Sequence, residues 1–356
     1  MIQIMPSVPQ ILSLKQIRYS VLCFIFGSIP ITSFFVGVTK QESWIVVIIG
    51  YVVSLLVISM YLYMARQYPG MNMIDIHRAV FGHIIGNIFS VILLLFFLSL
   101  AFLNLNTIGD FMTNYIMPET PEAAFLIIFI LVCSFAVRSG FTSIIRLSFI
   151  FVVIIILVVA FNTLMLLKDM DFNNLLPVFQ LPLKSYIQAT HSNSIIIFCE
   201  TVVFFMFVPF INDSKKIRKP MMLGLTYGAV VVLIMVLRDA LVLGNAYTFV
   251  SIPSYEAIRL INISDILARF ESFYTGVLLI AQFIKVCILY YAVVFGFTQL
   301  LGLKSEKTLV FPIGAVIVCF ASIAFESAMG AAFWGQNVAT VYSTFFEVAI
   351  PFIVFV

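Results

Sequence analysis

Residues 190–211 read THSNSIIIFCETVVFFMFVPFI, an apolar run with one formal charge, Glu200, near its middle and one proline, Pro209, near its end. A run of about 20 mostly apolar residues is long enough to cross a bilayer as a helix. A carboxyl at that depth must meet a partner, a wet cavity or a ligand, or else be neutral. Working outward from this stretch, charges and Pro/Gly clusters cut the chain into ten such segments, at approximately 18–39, 43–65, 84–110, 122–138, 144–167, 190–211, 220–243, 272–302, 308–326 and 338–356. The fourth is the shortest, and it spans only if Glu122 and Arg138 reach out to the two interfaces.

The whole composition agrees. Of 356 residues, 63% are hydrophobic and only 10% charged, with a mean hydropathy of +1.16. A soluble domain averages about 45–50% apolar and about 25% charged, so this chain cannot cover a water-facing fold and reads as an all-α polytopic membrane protein. A net charge of +3 is too weak and scattered for a nucleic-acid surface. Cys23, Cys133, Cys199, Cys287 and Cys319 lie singly inside apolar runs and read as small buried hydrophobes. His77, His83 and His191 have no partner at metal-ligand spacing, so no metal or other cofactor is expected. No GxSxG, GxxxxGK[ST] or GxGxxG occurs, which leaves an enzyme without visible machinery.

Basic residues favour the cytoplasmic side of short loops. With the N-terminus inside, twelve Lys and Arg flank the cytoplasmic ends, including the cluster at 215–219, against five outside, so both termini are expected in the cytoplasm. The first run lacks a small-residue cleavage site and leads at once into another span, so it reads as a retained helix rather than a signal peptide. The last run stops at Phe352-Ile353-Val354-Phe355-Val356 without a polar flank, so further residues are expected beyond it. No polar stretch is long enough for a separate soluble domain, and one integral membrane domain over 1–356 is expected.

Ten spans divide into two sets of five, and an odd-numbered set puts the second half upside down relative to the first. The expected halves are approximately 18–167 and 190–356. Transporters of this layout bind near the midplane, where the first helix of each half is broken. Here Gly27-Ser28-Ile29-Pro30 interrupts the first segment, while Ser192-Asn193-Ser194, Glu200-Thr201 and Pro209 interrupt the sixth. Gly27 lowers the cost of unwinding and Pro30 removes a donor.

Glu200 and Lys285 both fall roughly 14–20 Å below the outer surface at 1.5 Å per residue, near the middle of the hydrocarbon. They read together as a structural ion pair, as a ligand pair in which Lys285 meets a carboxylate and Glu200 an ammonium, or as a proton- or cation-linked switch. Glu347 is also deep and reads as structural, pairing with neighbouring helices or a partner subunit. Arg238, Asp239 and Asp110 lie near the outer boundary, where snorkelling and mutual pairing are expected. Asn104 and Asn106 read as hydrogen-bonding glue between helices, with Asn104 a candidate cavity residue.

A series of local words extends along nearly the whole chain. Arg66-Gln67-Tyr68-Pro69-Gly70 is followed by Gly82 and Gly86, then by Pro118-Glu119-Thr120-Pro121 and Arg146. Asp171-Phe172-Asn173-Asn174-Leu175-Leu176-Pro177, Glu200 with Pro209 and the basic cluster, Gly244, Arg269-Phe270-Glu271 and Phe311-Pro312 complete it. In this order and spacing the chain resembles the B subunits of spore germinant receptors, which are similar to permeases of the amino acid-polyamine-organocation superfamily.

The resemblance implies a sensing subunit in the inner membrane of a bacterial spore, binding an amino acid or similar small nutrient and triggering germination. It implies an A subunit with both membrane and soluble parts and a lipoprotein C subunit as partners. Its binding residues map to Phe26, Gly27, Ser28 and Ile29, to Leu103 and Asn104, to Phe198, Cys199, Glu200 and Thr201, and to Lys285 and Ile288. A charged Lys285 is unexpected around a small neutral amino acid, and it can instead supply a fixed cation where related transporters bind sodium. A proton-coupled secondary amino acid transporter and a nutrient-gated ion channel subunit need the same midplane site and stand as the alternatives.

Overall fold

The computed structural model describes residues 12–211, 213–261 and 271–355. Within them the chain is helical, without a β-strand; the one extended contact is an isolated parallel bridge between Leu12 and Ile211. Arg269, Phe270 and Val356, used in the sequence reading, lie outside the described residues.

The first half begins with α1 (Leu14–Phe26), started by a capping box in which the Ser13 hydroxyl accepts from the Gln16 amide and the Gln16 side chain reaches back. A 3-10 turn, Ile29–Thr32, joins it to α2 (Ser33–Thr39), and another turn leads to α3 (Ser43–Gln67). Next comes α4 (Met73–Phe111), opened by an Asn72/Asp75 capping box and bent at Gly82, whose φ of +75° is open to glycine at little steric cost. The half ends with α5 (Glu122–Arg138) and α6 (Phe141–Met165).

The second half begins with α7 (Leu183–Ser192), continued by a π-helical stretch, Asn193–Phe198, and a 3-10 stretch, Cys199–Phe210. Then follow α8 (Arg218–Leu243), the short outer α9 (Pro253–Arg259), α10 (Glu271–Leu300) and α11 (Lys307–Ile323). The chain closes with α12 (Ala328–Trp334), α13 (Thr340–Thr344) and α14 (Ile350–Phe355), joined end to end by π-helical turns at Gly335–Ala339 and Phe345–Ala349.

Among the described residues, seven helical stretches are long and apolar enough to cross a membrane, rather than the expected ten. The difference has local causes. The break at Gly27 leaves α1 with 13 residues, α5 and α11 have 17 each, and helical turns carry α2 on into α3 as one stretch, Ile29–Gln67.

Burial separates the centre from the periphery. In Leu183–Phe210, 94% of the apolar window is buried and in Glu271–Leu300 83%, against 33% in Phe141–Asp169. Outer helices turn Ile48, Val52, Leu56, Ile84, Ile128, Phe135 and Leu157 outward, the reverse of a water-soluble surface and the pattern a lipid-facing one needs. The most enclosed stretches are the ones that carry Glu200 and Lys285.

Candidate functional site

The interruption of the first segment is a change of helix type rather than an extended gap. The Gly27 amide still donates to the Cys23 carbonyl at 3.1 Å and the Ser28 amide to Ile25 at 2.9 Å, after which Pro30 sits inside the 3-10 turn. Gly27 is required for close approach: a Cβ there would lie 3.0 Å from both Cβ and Cδ of Lys285. The Gln282 side chain donates to the freed Gly27 carbonyl at 2.8 Å, replacing a helical partner.

The sixth segment leaves α geometry at Asn193 and changes again at Cys199, where a 12-residue 3-10 run begins. Such runs rarely exceed a few residues. Pro209 lies near the end of that run, so both changes of geometry fall upstream of it, the second next to Glu200.

Three elements meet at one point. Lys285 from α10 places Nζ 2.6 Å from Glu200 Oε2 and donates to Ser28 Oγ at 2.6 Å, with the Phe24 ring 5.2 Å from the ammonium. Lys285 and Ser28 are fully buried and Glu200 is 3% exposed. The ammonium thus bridges the break in the first segment and the irregular sixth. Desolvating both charges is expensive and is offset only by close geometry and further hydrogen bonds, which Ser28 provides.

The other candidates divide around this point. Phe26, Ile29, Phe198, Cys199 and Thr201 are buried beside it in sequence, and the Thr201 hydroxyl is spent on the Phe198 carbonyl. Asn104 donates to Leu100 in its own helix, whereas Asn106 crosses to the Ala321 carbonyl on α11. Leu103 is half-buried and Ile288 lies in the apolar core. Among the described residues no group of three or more His, Cys, Asp or Glu is placed to hold a metal.

Two cavities open elsewhere, and none of the twelve candidates lines either. One of about 210 Å³ lies between α2, α7 and the 335–341 stretch, with Gln188, His191, Ser192, Gln336 and Thr340 in its wall. The other, about 550 Å³, is lined by Lys40, Gln41, Asn173, Asn174 and Asn245 among others.

Three polar features differ from the sequence reading or were absent from it. Glu347 is fully buried, and neither carboxyl oxygen has a hydrogen-bond partner. Glu42 is buried and accepts the Phe179 and Gln180 amides at 2.8 and 3.1 Å and the Tyr186 hydroxyl, fastening the 177–182 loop. Arg238 and Asp239 pair as expected, at 2.6 Å, but are 1% and 2% exposed rather than snorkelling, because α9 folds over them and Ser254 donates to Asp239. No local signal marks Glu42, whose partners come from a segment more than 130 residues away.

Comparison with known proteins now bears on what this arrangement is. A family model described as "Spore germination protein" matches residues 11–328. The chain belongs to this spore permease family. Relatives from Bacillus subtilis (strain 168) include spore germination protein KB, 24% identical over 86% of this chain and 83% of the relative. Spore germination protein YndE is 22% identical over 75% of each chain, and spore germination protein B2 is 21% identical over 75% and 73%. In solved structures the fold is similar to a nucleobase-cation-symport-1 family transporter, in a closed conformation with bromovinylhydantoin bound. The TM-score is 0.65 at 11% identity, covering 92% of this chain and 77% of that one. This is a multi-pass membrane protein of transporter fold in a spore germination family, not an enzyme. The family match ends before the stretch that holds Glu347.

Proposed function

We propose that the chain is the nutrient-sensing B-type subunit of a spore germinant receptor, a single integral membrane domain over 1–356 that uses a transporter fold to detect an amino acid or similar small molecule. The observation that carries this reading is the buried Lys285 ammonium held between Ser28, at the break in the first segment, and Glu200 in the sixth.

Ten membrane crossings as a 5+5 inverted repeat fit the packing. In the first half's terms, α1 packs on α8; in the second half's terms, the 183–210 stretch packs on α3, which is the same contact with the halves exchanged. Likewise α4 packs on α11 and α10 on α5. Pairs that such a symmetry maps onto themselves, α4 with α10, α5 with α11 and α3 with α8, are in contact as well. The two halves are approximately 18–167 and 190–356.

In this reading the Glu200–Lys285 pair is the resting, closed arrangement. A zwitterionic nutrient placed among Phe26, Gly27, Ser28, Ile29, Phe198, Cys199, Glu200 and Thr201 offers an ammonium to Glu200 and a carboxylate to Lys285. Two pairs then replace one, and the helices bearing them must part to admit the ligand. Leu103 and Asn104 from α4 and Ile288 from α10 complete the proposed binding set. Sensing requires only that the nutrient bind the parted arrangement better than the closed one. The basic loops favour both termini in the cytoplasm, and the family favours the spore inner membrane with A and C subunits as partners.

Thermal stabilisation of the purified protein across an amino acid screen tests the binding claim. A ligand at about 100 times its Kd adds about 2.7 kcal/mol to the folded state. The transporter fold itself favours a second reading, secondary transport. Uptake into proteoliposomes separates the two: saturable flux against a gradient supports transport, and stabilisation without flux supports sensing. Nutrient-triggered ion current would instead support a channel subunit.

A further inference from the structure

The centre holds more acid than base. Around Glu347 the titratable and charged groups are Tyr61 from α3, Cys199 and Glu200 from the 3-10 stretch, and Lys285 from α10. From α4 the neighbouring side is aromatic, with Phe96 stacked on Phe346 at 4.7 Å. The Tyr61 hydroxyl is used by the Glu347 backbone carbonyl at 3.0 Å and does not reach the carboxyl. Lys285 is the one cation in this set and is already engaged by Glu200 and Ser28. A second ionised carboxyl without a donor, at this depth, is costly by several kcal/mol.

A polar line leads away from Glu347. Gln336, Thr340, Ser343 and Glu347 follow at spacings of four, three and four, which places them along one face of a helix. Exposure falls along that face: Gln336 is exposed in the wall of the 210 Å³ cavity, Thr340 is 7% exposed, Ser343 3% and Glu347 0%. Across from it, α13 packs on the Asn193–Phe198 stretch, where the Asn193 amide is buried without a partner, as is the Thr340 hydroxyl. Unpartnered polar groups in hydrocarbon are rare; Thr340 stands in the cavity wall on the line to the orphaned acid, while the Asn193 amide lies against Gly50 of α3. The two ends of this line, Gln336 and Glu347, fall within the two π-helical turns of the last segment, and such turns recur at functional sites.

We propose that Glu347 is a proton-binding site, loaded from the 210 Å³ cavity along the Gln336–Thr340–Ser343 face. The bound proton leaves one carboxylate and one ammonium at the centre, which balance. A proton suits this carboxyl better than a metal cation, because among the described residues no cluster of three acidic, His or Cys side chains shares it. In the nutrient-sensor reading, on which the direction of loading rests, the cavity opens to the outer side. Protonation of Glu347 then sets the charge that Glu200 and Lys285 experience, and makes nutrient response depend on external pH.

Infrared difference spectroscopy of the full chain in lipid nanodiscs tests this directly. At neutral pH the wild type is expected to show the C=O stretch of a protonated carboxylic acid, sensitive to deuterium exchange. Glu347→Gln removes that band, and Glu119→Gln, in the exposed loop before α5, leaves it. If Glu347→Gln does not fold, Glu347→Asp is the substitute and shifts the band instead of removing it. Thr340→Val is expected to slow deuterium exchange of the band several-fold without changing its intensity. The proposal is overturned if the band persists in Glu347→Gln, if it is unmoved in Glu347→Asp, if sodium ions abolish it, or if Thr340→Val leaves the exchange rate unchanged. The band reports protonation whether or not a nutrient binds, so failure here and failure of the sensor reading are separate results.

Discussion

Replacing Lys285 with Met keeps most of the length of the side chain and removes its charge. Nothing else among the described residues pairs with Glu200, and the two side chains are 0% and 4% exposed at 2.6 Å separation. Taking one partner from a buried ion pair costs about 3–5 kcal/mol, largely because the other charge stays behind without compensation. Lys285→Met is therefore expected to lower the thermal midpoint of the detergent-purified protein by many degrees, read as loss of the monodisperse peak on size exclusion after heating. Glu200→Gln alone leaves a buried ammonium that keeps only Ser28, and is expected to cost a similar amount. The double variant removes both charges and is expected to recover part of the loss, with a coupling of about 1–3 kcal/mol, the upper part of the range for residues in direct contact. A Lys285→Met protein as stable as wild type, or a double variant as unstable as the two losses added together, would refute a stabilising pair at this site.

Gly27→Val places side-chain atoms against the stem of Lys285, whose Cβ and Cδ lie 3.0 Å from a built Cβ; thermal stabilisation by nutrient is expected to disappear while membrane insertion, followed by fractionation, persists. Ser254→Ala leaves Asp239 without its cross-helix donor under α9 and is expected to cost about 1–3 kcal/mol, read as a lower thermal midpoint. Glu42→Ala frees the Phe179 and Gln180 amides, so limited proteolysis is expected to cut the 177–182 loop several times faster than in wild type. Burial raises the carboxyl of Glu306, in the loop before α11, above its ordinary range, with the Tyr291 hydrogen bond acting against that shift. A raised folded-state value means its contribution is complete below the unfolded value and is lost as pH climbs through the folded one. Stability should thus fall as pH rises from the ordinary carboxylate range upward, and Glu306→Gln should flatten that slope.

The helical membrane fold was legible because it is written in long apolar runs, which no soluble arrangement accommodates. The position of the first break was legible too, since Gly27 and Pro30 act locally. In the sixth segment the backbone departs at Asn193, inside the Ser192-Asn193-Ser194 interruption, and at Cys199, beside Glu200-Thr201, whereas Pro209 falls near the end of the 3-10 run and starts neither change. Hydropathy also could not fix the number of spanning helices, because α1 and α11 are shorter in α geometry than their apolar segments, and α5 is as short as the 17-residue segment it fills.

The site was legible as a depth but not as a contact. Glu200 and Lys285 stand at similar levels in the sequence count, and only the packing of α10 against the first and sixth segments turns equal depth into a 2.6 Å bridge. Glu347 stands at a similar level, but nothing in the sequence says which way it points or that it lacks a donor. Arg238 and Asp239 count as near-surface along α8, and their burial depends on α9 folding back over them.

The twelve-residue 3-10 stretch at Cys199–Phe210 has a mechanical consequence. A 3-10 helix rises about 2.0 Å per residue and an α-helix about 1.5 Å, so rewinding all twelve residues into α form would shorten the rod by about 6 Å. Three residues per turn would become 3.6, and one end would swivel against the other by roughly two-thirds of a revolution. A displacement of that size reaches the end of the rod where Leu12 and Ile211 are bridged. A small event beside Glu200 thus has a built-in lever arm to the far face of the membrane.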